Sequence, residues 1–116
     1  MINAGVEALD FGLVPESCRE KVVDYIAGRG MVCSPYFAQY YLEALCRYGR
    51  KNLALELMTA SGDRSWLGMM EQGATMTMEA WNTRVKPNQD WNHAWGTVPL
   101  NIMARFFNTN NTVRNE

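Results

Sequence analysis

The chain has 116 residues, 47% of them hydrophobic and 20% charged. That is enough apolar material for one folded domain and rules out a disordered tail. Eleven basic against twelve acidic side chains leave a formal charge of −1, so no electrostatic footprint for nucleic acid or an anionic membrane is expected. No apolar run approaches the roughly 18–20 residues of a membrane span. The opening MINAGVEALDFG carries two acids and no basic residue, so it does not read as a secretory signal; the compartment stays open.

The punctuation of the first half is helical. A short helix ends over residues 9–12, with Gly12 placed to cap it in the left-handed region. Pro15 can open the next helix, where a first-turn proline loses no needed donor. Its apolar positions are Cys18, Val22, Tyr25 and Ile26, and it stops near Gly28 and Gly30. After an apolar link at 31–33, Ser34-Pro35 gives the clearest helix start, an N-cap hydroxyl followed by proline. Behind it Phe37, Tyr40, Tyr41, Ala44, Leu45 and Tyr48 form one wide apolar stripe, and Gly49 ends it. A further helix turns Leu53, Ala54, Leu57 and Met58 inward and stops before Ser61-Gly62-Asp63, so the pair reads as an α-α hairpin.

The second half changes character. Residues 65–71 read as a short helix carrying Trp66, Met69 and Met70. Over 73–96 the periodicity dissolves, and a structureless stretch of that length is uncommon and often functional. A last helix is expected over 97–107, with Ile102, Met103, Phe106 and Phe107 on one side, followed by a frayed polar tail over 108–116. No segment has a trustworthy strand period. Cys18, Cys33 and Cys46 are an odd, widely spaced set without a CxxC pair. They make neither a disulfide framework nor a metal site and read as small buried or half-buried thiols. With a single histidine as well, no metal and no cofactor are expected.

The polar and aromatic residues gather where regular structure stops: Trp66, Glu79, Trp81, Asp90, Trp91, His93 and Trp95. Indole faces beside carboxylates and an imidazole suit a sugar, whose C–H side stacks on the ring while its hydroxyls meet the polar groups. Taken singly, each indole reads more readily as core, Glu79 as solvated and His93 as structural. Glu79 lies between Met78 and Trp81, an apolar wall that is expected to raise its pKa and suit it to proton transfer.

The run SWLGMMEQGATMTMEAW, followed by DWNHAWGTVPLNIMARFF, resembles the C-terminal part of the catalytic domain of glycoside hydrolase family 78, the bacterial-type α-L-rhamnosidases. GLVPES, SPYFAQYYLEALCRYGR and LALELM follow the same family in the same order, so the resemblance covers about residues 3–107. It implies an all-α fold of helical hairpins forming part of an (α/α)6 toroid, here an incomplete barrel. It also implies inverting hydrolysis of terminal α-L-rhamnosides. Glu79 matches the general base, His93 a sugar-contacting position, and Trp66 and Trp81 aromatic positions near the pocket. Met76 and Met78 depart from the threonine and the tryptophan or leucine that the family often has before the glutamate.

The resemblance further implies that the general acid and most rhamnose-binding acids lie in an earlier segment that this chain does not contain, as does the barrel's other part. The chain, a single partial domain over 1–116, is therefore expected to be a fragment with little or no activity alone. Its partner would be a rhamnoside in the full-length enzyme. Helix faces left uncovered should drive homodimers or oligomers. Two alternatives remain: a helical interaction module that works by pairing with a partner, and a carbohydrate-binding remnant without catalysis.

Overall fold

The computed structural model describes residues 2–108, so the expected frayed tail lies, apart from Asn108, outside the described residues. Every regular element among them is helical: α1 (Ile2–Asp10), α2 (Glu16–Ala27), α3 (Ala38–Arg47), α4 (Lys51–Thr59), α5 (Trp66–Glu71) and α6 (Val98–Phe106), with one 3₁₀ turn at Ala94–Gly96. No helix is long and apolar enough to cross a membrane.

The helices form two layers. α1 packs on α2 and α3, and α3 packs on α4 and α6. α3 and α6 run in the same direction, because Gln39 bonds Asn101 and Glu43 bonds Arg105 at the same sequence offset. The Tyr48 hydroxyl donates to the Leu9 carbonyl at 3.1 Å, which brings the C-terminal ends of α3 and α1 together. α1, α3 and α6 are thus one parallel row, and α2 and α4 return behind it. The body measures 43 × 41 × 21 Å, and 21 Å is two helix diameters of roughly 10–12 Å each. Its radius of gyration, 15.3 Å, exceeds the about 13 Å of a compact domain near this size. This two-layered, all-helical arrangement is consistent with part of an α/α toroid.

α3 is the axis of the core. Tyr41, Leu42, Ala44 and Leu45 are fully buried against Val6, Val23, Ile26 and Ile102, and the Tyr41 hydroxyl donates to the Ile26 carbonyl at 2.8 Å. Gly12 takes φ +65° and turns the chain out of α1, as expected. Four local expectations shift. Pro15 stands at the cap, one residue ahead of the first turn of α2. Ser34 does accept from the Phe37 amide at 3.3 Å, yet α3 starts only at Ala38. The Ala38 amide bonds four residues back, to Ser34 at 3.0 Å, but those of Gln39 and Tyr40 bond three residues back, to Tyr36 and Phe37, which interrupts the α pattern ahead of Ala38. In α2 the buried face is Val23 and Ile26, with Tyr25 outside, held there by the Arg29 guanidinium 4.7 Å from its ring centre. Cys18 is exposed rather than half-buried, while Cys33 and Cys46 are buried, and all three are free thiols.

Candidate active site

The connection from α4 to α6, residues 60–97, is folded by side chains that bond to backbone. Ser65 caps α5, accepting from the Gly68 amide at 2.9 Å while donating to the Gly62 carbonyl at 2.7 Å. Met78 and Trp81 point inward, with Met78 fully buried and Trp81 only 2% exposed. The Trp81 ring meets Trp66 edge-on, with centroids 4.9 Å apart. Both indoles donate to carbonyls: Trp81 to Cys33 at 2.6 Å and Trp66 to Gly96 at 2.8 Å. A Cβ at Gly96 would sit 3.0 Å from Thr77 Cβ and 3.2 Å from the Met78 carbonyl, so this close approach favours glycine. The side chains of Gln72 and Gln89 add bonds to the Trp81 carbonyl and the Ala80 amide. With Met78 and Trp81 anchored below, the intervening Glu79 is left on the outer side.

Residues 77–79 lie alongside 90–93. The Glu79 amide donates to the Asp90 carbonyl at 2.9 Å and the His93 amide to the Thr77 carbonyl at 2.7 Å, while Thr77 Oγ1 donates to the His93 carbonyl. These bonds bring Glu79, Asp90 and His93 together. Glu79 Oε2 accepts from the Asp90 amide at 3.1 Å, and Oε1 is paired with the Lys86 ammonium. His93 Nδ1 is 3.8 Å from Asp90 Oδ2.

The electrostatics reverse the expectation for Glu79. Its pKa is lowered: the Lys86 hydrogen bond is the largest cause, the Asp90 amide the next, with small help from His93. Burial works the other way but is weak, since the carboxylate side chain remains one-third exposed (33%). Sequence reasoning missed Lys86 and Gln89 because both lie in irregular chain, where no periodicity says which residues meet.

Trp66 and Trp81, expected at the sugar contact, are buried and form the floor beneath the carboxylate segment. Trp66 also borders a cleft of about 460 Å³ with Met69, Met70, Thr75, Met76 and Thr77. Trp91 and Trp95 are exposed; Trp95 stands 5.8 Å from the His93 ring and 5.6 Å from the Tyr36 ring. No group of three His, Cys, Asp or Glu side chains that could hold a metal ion occurs among the described residues.

Comparison with protein families matches residues 2–107 to the bacterial alpha-L-rhamnosidase six-hairpin glycosidase domain. The chain belongs to this family. No curated protein and no solved structure matches it. In a rhamnosidase six-hairpin domain, paired helices close into a ring, and the parallel row α1, α3, α6 backed by α2 and α4 is a sector of one. Both connections that lead from the back row to the front row, residues 28–37 and 60–97, meet at one end of this sector, where Trp81 bonds Cys33 and Trp95 packs on Tyr36. Glu79 and His93 belong to that end. The family's glycosidase activity makes carbohydrate the substrate class.

Proposed function

We propose that Glu79 is the general base of an inverting α-L-rhamnosidase and that this chain carries the base half of the reaction. The observation that supports this most is the Glu79 carboxylate held by Lys86 and the Asp90 amide beside the imidazole of His93, contacts that lower its pKa. A carboxylate kept ionised at neutral pH accepts a proton and does not supply one. It would take a proton from a water molecule as the water's oxygen attacks the anomeric carbon from the face opposite the leaving group. His93 would hold a rhamnose hydroxyl. Trp66 and Trp81 serve the site from below, by fixing the segment that presents Glu79.

The leaving oxygen must be protonated by a second carboxyl group, roughly 6.5–9.5 Å from the first. Asp90 is not suited to that role: its Oδ1 accepts from the Asn92 amide at 2.9 Å and its Oδ2 faces His93. We take the acid to lie in another sector of the ring. A missing acid costs about 10²–10⁴ in rate, so the 116-residue chain should show no measurable turnover of an aryl α-L-rhamnoside. Clear turnover that disappears in Glu79→Gln would overturn the fragment reading and keep the base. Turnover unaffected by Glu79→Gln would overturn the base.

One observation supports association as well. α6 packs chiefly on α3, and Leu100 and Met103 on α6 are exposed, as are Met70 and Met76 at the Trp66 cleft. In a closed ring the next hairpin covers such an edge; in the chain alone it pairs two copies into a homodimer. Sedimentation that finds a folded monomer at tens of micromolar would refute this.

A further inference from the structure

A second aromatic group stands beside the candidate site and has no part in the proposed chemistry. Trp95, Tyr36 and Tyr40 are 70%, 46% and 42% exposed. The Tyr36 and Trp95 rings are tilted by 36° at 5.6 Å, an open wedge, and Tyr40 meets Tyr36 edge-on at 6.2 Å and 82°. With Gln39 these rings line a cleft of about 300 Å³. Tyr36 and Tyr40 also wall a neighbouring cleft of about 550 Å³, whose polar lining is Glu7, Asp10, Glu43 and Arg47. Asp10 Oδ1 is buried without a hydrogen-bond partner among the described residues.

The chemistry of this lining selects its occupant. The cleft at Trp66 is lined mainly by apolar side chains, Met69, Met70 and Met76 among them. Around Tyr36 and Tyr40, by contrast, exposed ring faces alternate with carboxylates, an amide and a guanidinium, which suits a ligand with an apolar C–H face and a rim of hydroxyls. Position fixes its relation to the first site, because the Trp95 ring lies 5.8 Å from the His93 imidazole. A sugar held at His93 would have its neighbouring ring at Trp95.

We propose that Trp95, Tyr36 and Tyr40, with Gln39, form a second sugar subsite that takes the pyranose ring adjoining the rhamnose. The proposal rests on the reading of Glu79 and His93 as a rhamnoside site. The test is NMR titration of the ¹⁵N-labelled chain, following the indole N–H of Trp95 and the ring of His93. Three probes are compared: methyl α-L-rhamnoside, an α-L-rhamnosyl-glucose disaccharide and phenyl α-L-rhamnoside. The disaccharide should bind about tenfold more tightly than the methyl glycoside and should move the Trp95 signal. Trp95→Ala and Tyr36→Ala should each remove that gain, and Tyr36→Ala should leave the methyl rhamnoside's affinity and its effect on His93 unchanged. Trp95→Tyr should retain most of it. Because the replaced rings are exposed, thermal unfolding should not move.

Equal affinities for disaccharide and methyl glycoside, or a gain that survives both alanine variants, would overturn the subsite. A gain matched by the phenyl glycoside would make it a slot for an aromatic leaving group and overturn the sugar assignment. Failure of methyl rhamnoside to perturb His93 would instead sink the rhamnoside reading. The cleft would then be judged by the disaccharide alone: a Trp95 response lost in Tyr36→Ala supports a sugar site there, and no response overturns it.

Discussion

The helical part of the chain, through α4, and the loop-built part, residues 60–97, are held together in different ways. In the first, apolar side chains at helical spacing bury one another: Tyr41, Leu42 and Leu45 of α3 lie against Val6, Val23 and Ile26. In the second, side chains of Ser65, Trp66, Gln72, Trp81, Asn82 and Gln89 bond to backbone groups. The first kind of order is non-directional and tolerates change where volume is conserved. The second depends on individual donors and acceptors and fails when one is removed. The candidate base sits on the second kind, mounted at the end of the first.

Leu45→Ala should have the largest effect. It opens a cavity beside the fully buried Tyr41 and Leu42 and should cost about 3–5 kcal/mol, lowering the urea midpoint of the whole domain in one cooperative step. A loop that stays ordered after the helices melt would break the comparison. Trp81→Phe comes next. It keeps a ring on Trp66 but leaves the Cys33 carbonyl without its donor, at about 1–3 kcal/mol. Its effect should be local, with faster hydrogen exchange at the amides of Glu79 and His93 and little change at those of Leu42 and Leu45. Equal acceleration in both regions would show that the loop does not open on its own ahead of the helices.

The same division explains what could be read beforehand. α3 and α4 follow from apolar spacing and α1 from its glycine stop, since a helix states its buried face every three or four residues. α2 was legible as a helix but not in its facing: Tyr25 fits the apolar stripe as well as Val23 does, yet its ring lies outside, against the Arg29 guanidinium. For the site, the sequence gathered Glu79, His93, Trp66 and Trp81 in one polar and aromatic cluster, and the family resemblance implied a base, a sugar contact and two aromatic positions near the pocket. The indole bonds to Gly96 and Cys33 span 30 and 48 residues, and no local pattern encodes such pairings. The pairing of Glu79 with Lys86, seven residues on in irregular chain, is hidden for the same reason, and with it the sign of the pKa shift.

Lys86→Met should have the smallest effect on stability, because both partners are partly exposed and solvent screens the pair. Its value is local. The folded chain holds Glu79 below its unfolded value, so the pair's contribution is complete above the ordinary carboxylate range, about 4.3, and is lost as pH falls through the lowered value. Removing the ammonium takes away the largest cause of the shift and leaves the Asp90 amide and His93. The Glu79 carboxyl should then titrate at higher pH, as followed by carbon-13 NMR, with its signal still sensitive to Trp81→Phe. An unmoved titration would mean that the loop backbone sets the acidity of Glu79 and that Lys86 only neighbours it. A rise would identify Lys86 as the residue that holds the pKa of Glu79 down, at some expense to its basicity. The variant would then be the stronger base while remaining ionised at neutral pH, a trade-off that depends on one side chain of the loop and leaves the helices that carry it untouched.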